Sequence, residues 1–293
     1  MIVVLIVAAL VVSYGVGKAA AFSRLRSGSQ VIELPMGPME YALVGDSGPV
    51  VLFLHGSPGG YDHAAFRHPS HRTLAPSRPG SLRTPLSVGA SPAEQADAFA
   101  ALLDALELPD VVVMAASGGG PSALELAARH PSRVRCLILI EPVSHALELP
   151  PIPALMRSDL GVLLFAALVR PGVLARMLVH GEENQRLALR TPETRARLTG
   201  LVRSSWPPSR RLDGWSNDAE HARSFTPPTS LSVPCLVVHG TEDRNVPFEH
   251  SERLVAQLPG CILHAIEGGD HFMPITHSEE LRDVVSTFMA AHA

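Results

Sequence analysis

Residues 111–129 read VVVMAASGGGPSALELAAR. An unbroken apolar run at 111–115 passes through Ala116-Ser117-Gly118-Gly119-Gly120 into a helical pattern that extends from Ser122 to Arg129. A short run that is apolar on every residue fits a strand covered on both faces, as in a parallel sheet. A strand, a tight glycine turn and a helix together expose the Ser117 hydroxyl at the carboxyl edge of that sheet. Glycines at 118 and 119 suit a strained turn whose backbone passes close to its neighbours. A phosphate-cradling turn would instead carry a P-loop lysine or open as G-x-G-x-x-G, and neither is present. Ser117 is therefore a candidate nucleophile.

Runs of strand length recur at 31–34, 39–44, 50–54, 134–140, 234–238 and 261–266. The first two, separated by Pro35, Gly37 and Pro38, read as a hairpin after a polar linker at 23–30. Helical patterns fill the gaps between the others. The clearest begins at Ser91-Pro92-Ala93-Glu94, where Ser caps, Pro takes the first helical position and Glu closes a capping box. Strands alternating with helices predict a doubly wound α/β architecture with right-handed crossovers. The alternation stops at 143–232, which holds apolar helical stretches punctuated by prolines and no strand run. The expected organisation is a core at 23–142 and 233–293 with a helical insertion at 143–232.

A serine hydroxyl needs a base to remove its proton and a third group to fix the base's tautomer. His271, in Gly268-Gly269-Asp270-His271-Phe272, follows the last strand run, and Asp243, in His239-Gly240-Thr241-Glu242-Asp243, follows the one before it. Both fall at carboxyl ends of strands, where open α/β sheets bind ligands. Glu141, at the end of the run 134–140, competes with Asp243 for the orienting role. The loop His55-Gly56-Ser57-Pro58-Gly59 offers the Ser57 N–H for an oxyanion hole, with the Gly118 N–H as second donor, whereas Pro58 has no N–H to give. His55 reads as a loop-stabilising residue.

Together, His55-Gly56-x-Pro58-Gly59, the Ser117 elbow, His239-Gly240-x-x-Asp243 and Gly269-Asp270-His271-Phe272 resemble the α/β-hydrolase superfamily over about residues 38–292. The resemblance implies a mostly parallel eight-stranded sheet, an inserted helical cap and no metal or organic cofactor. It implies hydrolysis of a carboxylic ester or related acyl bond through an acyl-enzyme. Alternatives on this fold are carbon–carbon bond hydrolysis, peptidase activity like that of the proline iminopeptidases, acyl transfer, perhydrolysis, or a silent binding scaffold. The elbow departs from the usual pattern by having Ala115 where glycine is common, and Gly118 stands where iminopeptidases carry a bulky aromatic. Haloalkane dehalogenases and epoxide hydrolases use an aspartate nucleophile, and Ser117 argues against both.

The resemblance implies a small-molecule ester or acyl substrate as partner, and composition excludes a polyanionic one. With 24 basic against 28 acidic residues, the chain lacks the charge footprint of a nucleic-acid binder. Cys136, Cys235 and Cys261 are too few for a disulfide framework and read as buried thiols, although Cys235 and Cys261 begin adjacent expected strands. No metal-ligand spacing is matched, Asp62, His63, His68 and His71 included. Trp206 and Trp215 fall in the cap as packing or pocket residues, and Arg210 and Arg211 read as solvated. Nothing in the sequence specifies an oligomeric state. Residues 2–17 carry no charge and are followed by Lys18, Arg24 and Arg26. Counted through Phe22 the segment is long enough, at ~1.5 Å per residue, to cross a bilayer. This predicts an anchor at 1–22 with the catalytic domain in the cytoplasm. The rival is a secretory peptide cleaved near residue 21, which would leave a secreted or periplasmic protein.

Overall fold

The computed structural model describes residues 2–66 and 71–292, without the side chains at 2–11, 13 and 64–66. Eight strands form one sheet: β1 (Gln30–Leu34), β2 (Gly37–Val44), β3 (Val50–Leu54), β4 (Arg72–Pro76), β5 (Val111–Ala116), β6 (Val134–Ile140), β7 (Cys235–Gly240) and β8 (Cys261–Ile266). Their order is β1-β2-β4-β3-β5-β6-β7-β8, antiparallel for β1, β2 and β4 and parallel from β4 through β3 to β8. This is the expected doubly wound, mostly parallel eight-stranded sheet. Strand β4 lies outside the apolar runs legible in the sequence. Its five residues, RTLAP, begin with arginine and end with proline, and they hold their place through pairing to β2 and β3 more than through local propensity.

Alternate residues of each strand face opposite layers. In β5, Val111, Val113 and Ala115 pack beneath α2 (Pro92–Ala105) and α3 (Gly120–Arg129), against Phe99, Leu102, Leu103 and Leu124. Val112 faces the other way, with Ile138, Val238 and Phe288 of the C-terminal helix α11 (Ser278–His292). Each such side chain, fully buried, contributes about 1.5–3 kcal/mol. The sheet is therefore gripped from both sides, and the carboxyl ends of β3, β5, β6, β7 and β8 are held at one edge. Helix α2 starts as its sequence requires: Glu94 N–H donates to Ser91 Oγ at 3.3 Å and Ser91 N–H donates to Glu94 Oε2 at 2.8 Å.

The first helix, α1 (Ile2–Ser27), runs on through most of the segment expected to be a linker, because Arg24, Leu25 and Arg26 favour helix and the first breaker is Gly28. The apolar run expected to be an anchor forms its first part, and the side chains at 2–11 and 13 lie outside the described residues. Among the described residues, no single helix is long and apolar enough to cross a membrane. Between β6 and β7 lie five α-helices: α4 (Asp159–Leu168), α5 (Pro171–Leu178), α6 (Glu182–Arg190), α7 (Pro192–Ser204) and α8 (Leu212–Ala222). They enclose a small core of their own, with Leu174, Val179, Ala188 and Leu198 buried together. Two short helices after β7 and β8, α9 (Glu249–Gln257) and α10 (Met273–Thr276), complete the chain. Cys235 and Cys261 are register partners on β7 and β8, and both are free thiols.

Candidate active site

Ser117 sits at the turn between β5 and α3 with φ +50°, a left-handed conformation that costs energy for any residue with a side chain. Its surroundings leave the turn no slack. A Cβ on Gly119 would stand 2.5 Å from the Leu54 carbonyl oxygen, so the β3 end and the turn approach as closely as only glycine permits. A Cβ on Gly118 would stand 2.7 Å from Ser57 Oγ, so the 55–59 loop lies directly across from the turn. The two candidate oxyanion donors, Ser57 and Gly118, are thus neighbours, and both line the cavity onto which Ser117 opens.

His271 follows β8 and Asp243 follows β7, and the parallel pairing of those strands brings the two loops together. His271 Nδ1 donates to Asp243 Oδ2 at 2.6 Å, which fixes the tautomer and leaves Nε2 as the basic nitrogen. The carboxylate is anchored from its other oxygen, where Oδ1 accepts the N–H groups of Asn245 at 2.7 Å and Val246 at 3.0 Å. Burial works to raise its pKa, but the hydrogen bonds from His239 and His271 prevail and hold it well below the ordinary aspartate range. Ser117 and His271 open onto the same cavity. Among the described residues no hydrogen bond joins them.

Glu141, the competing acid, also has positive φ, +50°. Its Oε2 lies 3.7 Å from His271 Nδ1, beyond hydrogen-bonding distance, and its buried Oε1 has no partner. Burial, reinforced by the charges of Asp243 and Asp270, pushes its pKa well above the usual carboxylate range. Its surroundings thus favour the protonated form, whereas those of Asp243 favour the carboxylate. Donor atoms of Glu141, Asp243 and His271 lie within 4.8 Å of one another, the grouping that a metal would need. The His271–Asp243 hydrogen bond already accounts for it, because Nδ1 carries the proton there.

Several residues that sequence patterns had not singled out complete the site. His239, fully buried, directs Nε2–H to Val246 O at 3.0 Å and Asp243 Oδ2 at 3.2 Å, while its Nδ1 accepts from Ser251 Oγ at 2.6 Å. Arg78 donates Nε–H to His55 O at 2.8 Å and Nη1–H to Asp218 Oδ1 at 2.9 Å, and its Nη2 reaches the other oxygen of the same carboxylate. Ser57 Oγ also donates to Asp218. Asp218 comes from α8, so this buried pair joins the inserted helices to the core beside the Ser117 turn. No local pattern announces it, since Arg78 and Asp218 are 140 residues apart. His55 does stabilise its loop: it donates from Nδ1 to Gly56 O at 2.8 Å and accepts the Arg78 N–H at 3.0 Å.

Two expectations need correction or division. Arg211 was read as solvated but is buried, with Nη2 2.7 Å from Asp62 Oδ2, because the inserted helices close over the 3-10 turn Tyr61–Phe66. Arg210 is exposed. The tryptophans divide, since Trp215 lines the cavity whereas Trp206 stacks on Phe22 of α1 at 6.4 Å. Of the dismissed metal-site candidates, Asp62 is engaged by Arg211 and His63 meets Ser204 Oγ at 3.1 Å, while His68 lies outside the described residues.

The cavity is about 1340 Å³ and is lined mainly by apolar side chains from both sheet edge and inserted helices. With this geometry in view, the likeness to known proteins is informative. A model of the alpha/beta hydrolase family matches residues 51–284. A 2-hydroxymuconate semialdehyde hydrolase of Pseudomonas putida is 30% identical over 251 residues, covering 82% of this chain and 86% of that protein. An alpha/beta hydrolase fold protein from Nakamurella multipartita superposes with a TM-score of 0.78 at 33% identity, over 89% of this chain and 98% of that one. A bacterial membrane phospholipase A shares the fold over 99% of both chains, with a TM-score of 0.65 and 19% identity. The residues matched by the family model run from β3 to the C-terminal helix and include every residue of the site just described, so the chain belongs to the alpha/beta hydrolase family.

Proposed function

We propose that the protein is a serine hydrolase that cleaves a carboxylic ester or related acyl bond through an acyl-enzyme on Ser117, beneath a cap formed by residues 143–232. The observation that carries this reading is the 2.6 Å hydrogen bond from His271 to the buried Asp243 carboxylate, on the same cavity as a serine held at positive φ. In the first half-reaction His271 Nε2 takes the Ser117 proton as Oγ attacks the carbonyl carbon. The N–H groups of Ser57 and Gly118 stabilise the oxyanion that forms. The imidazolium, stabilised by Asp243, then gives its proton to the departing alkoxide, so an alcohol leaves and the acyl group stays on Ser117. Water repeats the sequence and releases the acid.

A second reading, carbon–carbon bond hydrolysis by the same residues, is favoured by the Pseudomonas putida relative, named for a 2-hydroxymuconate semialdehyde. Against it, the arginine beside the elbow is already neutralised by Asp218, which leaves it less able to hold an acidic substrate. The test is labelling with a fluorophosphonate, followed by turnover of p-nitrophenyl esters of graded acyl length beside a vinylogous 1,5-diketone acid. Labelling at Ser117 with turnover of the esters alone supports the first reading. Turnover of the diketone alone reverses the order, and no labelling overturns both. The uncharged run at 2–17 ahead of Lys18, Arg24 and Arg26 supports membrane anchoring with the catalytic domain in the cytoplasm. A soluble extracellular chain beginning near Phe22 would overturn that.

A further inference from the structure

Helix α4 reads DLGVLLFAAL, and its one polar residue, Asp159, is turned inward. Lys18 Nζ of α1 binds Asp159 Oδ2 at 2.6 Å, and Ser209 donates to the same carboxylate from N and Oγ at 2.9 and 2.8 Å. The outward positions are Leu160, Leu163, Leu164 and Leu168, at the three- and four-residue spacing of one helical face, and Leu168 is 77% exposed. Leu155 before this helix and Val173 and Met177 on α5 are exposed as well. Of the twelve large apolar side chains exposed among the described residues, seven fall within 155–177 and two more, Val12 and Val16, lie on α1. Scattered exposed apolar residues are ordinary, but a helix whose outer face is leucine and alanine throughout marks a surface that is covered in use.

What covers it follows from what adjoins it. The Lys18–Asp159 pair, the Phe22–Trp206 stack and the hydrogen bond from Tyr61 Oη to Leu25 O at 2.6 Å pin the later turns of α1 against the cap and core. From that point the uncharged residues 2–17 continue for about 24 Å, at ~1.5 Å per residue. The leucine face and the apolar helix thus share one junction. Arg24 and Arg26 on α1, Arg157, Arg170 and Arg176 within 155–177, and Arg210 over the Phe22 ring are exposed. The only acid in 155–177 is the neutralised Asp159. A second copy docked through this face would set arginine against arginine, whereas anionic headgroups over an apolar interior match both features. On their inner sides the same elements present Met156, Phe165 and Leu178 to the cavity that holds Ser117 and His271. The wall is apolar on both sides.

We propose that the face formed by residues 155–177 rests on an anionic lipid bilayer, and that the substrates are long-chain acyl esters drawn from that bilayer into the cavity. The second clause rests on the ester reading above; the first does not. An acyl chain leaving the membrane here meets leucine outside and phenylalanine, methionine and leucine inside.

The test uses the full chain with vesicles of phosphatidylcholine alone or mixed with phosphatidylglycerol. Leu164→Cys, labelled with an environment-sensitive fluorophore, reports on the face itself. A blue shift on the mixed vesicles that weakens on phosphatidylcholine alone supports the proposal. No shift on either overturns it, as does a shift that follows protein concentration without lipid, the signature of self-association. In parallel, the double variant Leu164→Glu/Leu168→Glu is assayed on a soluble short-chain ester and on a long-chain ester embedded in the mixed vesicles. The expected result is at least about a tenfold loss on the embedded ester with turnover of the soluble ester within about twofold. Equal turnover of the embedded ester by variant and wild type overturns the delivery route. If the wild type hydrolyses neither ester while the fluorophore still shifts, the ester reading has failed and the membrane surface stands.

Discussion

Replacing Asp243 by asparagine probes the orienting carboxylate without changing its shape. Two backbone N–H groups, from Asn245 and Val246, already bind Oδ1, so the asparagine must keep its carbonyl oxygen there. Its amide nitrogen is then forced into the Oδ2 position, 2.6 Å from His271 Nδ1 and 3.2 Å from His239 Nε2. An NH2 group at that place can only donate, so His271 must accept at Nδ1 and carry its proton on Nε2. That is the nitrogen needed as the base. The variant therefore traps the wrong tautomer and also removes the charge that stabilises the imidazolium. The expected loss in kcat is about 10⁴-fold, or about 5 kcal/mol of barrier, with substrate binding little changed. The assay is kcat and KM for a p-nitrophenyl ester at neutral pH, beside Glu141→Gln as the comparison. Because Glu141 Oε2 stands 3.7 Å from Nδ1 and makes no hydrogen bond to it, its glutamine variant should keep activity within a few-fold. If Asp243→Asn stayed within a few-fold while Glu141→Gln collapsed, the assignment of the two acids would be reversed.

Ser117→Ala and His271→Ala should each lower kcat by on the order of 10⁶-fold, with little further loss in the double variant, since neither group works without the other; equal turnover by wild type and Ser117→Ala would show the nucleophile to be misassigned. Glu141 also leaves a mark on stability: burial raises its folded pKa above the unfolded value of ~4.3, so the stability it contributes is whole below that pH and is lost as pH rises through the folded value. Urea denaturation at pH 5 and pH 8 should accordingly show Glu141→Gln gaining stability over wild type at the higher pH, and a gain that is the same at both would refute the titration. Asp218→Asn strips the partner from Arg78, whose side chain is 4% exposed, and should cost about 3–5 kcal/mol of stability. On folded protein it should also raise the kcat/KM of esters bearing a carboxylate relative to neutral ones, and an unchanged ratio would show that the arginine does not face substrate.

What the sequence determined by itself was chiefly local or periodic. The apolar runs gave strands because a strand buried on both faces needs every residue apolar, and the Ser117 turn was legible because strand, glycines and helix follow one another without a gap. Asp243 and His271 could be paired from sequence because each follows a strand of a regular parallel array, which delivers successive loops to one edge. The break in alternation at 143–232 marked the insertion, and the resemblance to a known family added the strand count. Tertiary structure alone decided the rest. Strand β4 exists through its neighbours, since RTLAP has no propensity to announce it. The contest between Asp243 and Glu141 turned on 2.6 against 3.7 Å and on which carboxyl receives backbone N–H groups, and neither is encoded within a few residues of either acid. The Arg78–Asp218 and Arg211–Asp62 pairs join residues 140 and 149 positions apart. Side chains so distant in the chain share an environment only after the sheet has formed and the inserted helices have closed over it, so no pattern along the sequence could carry them.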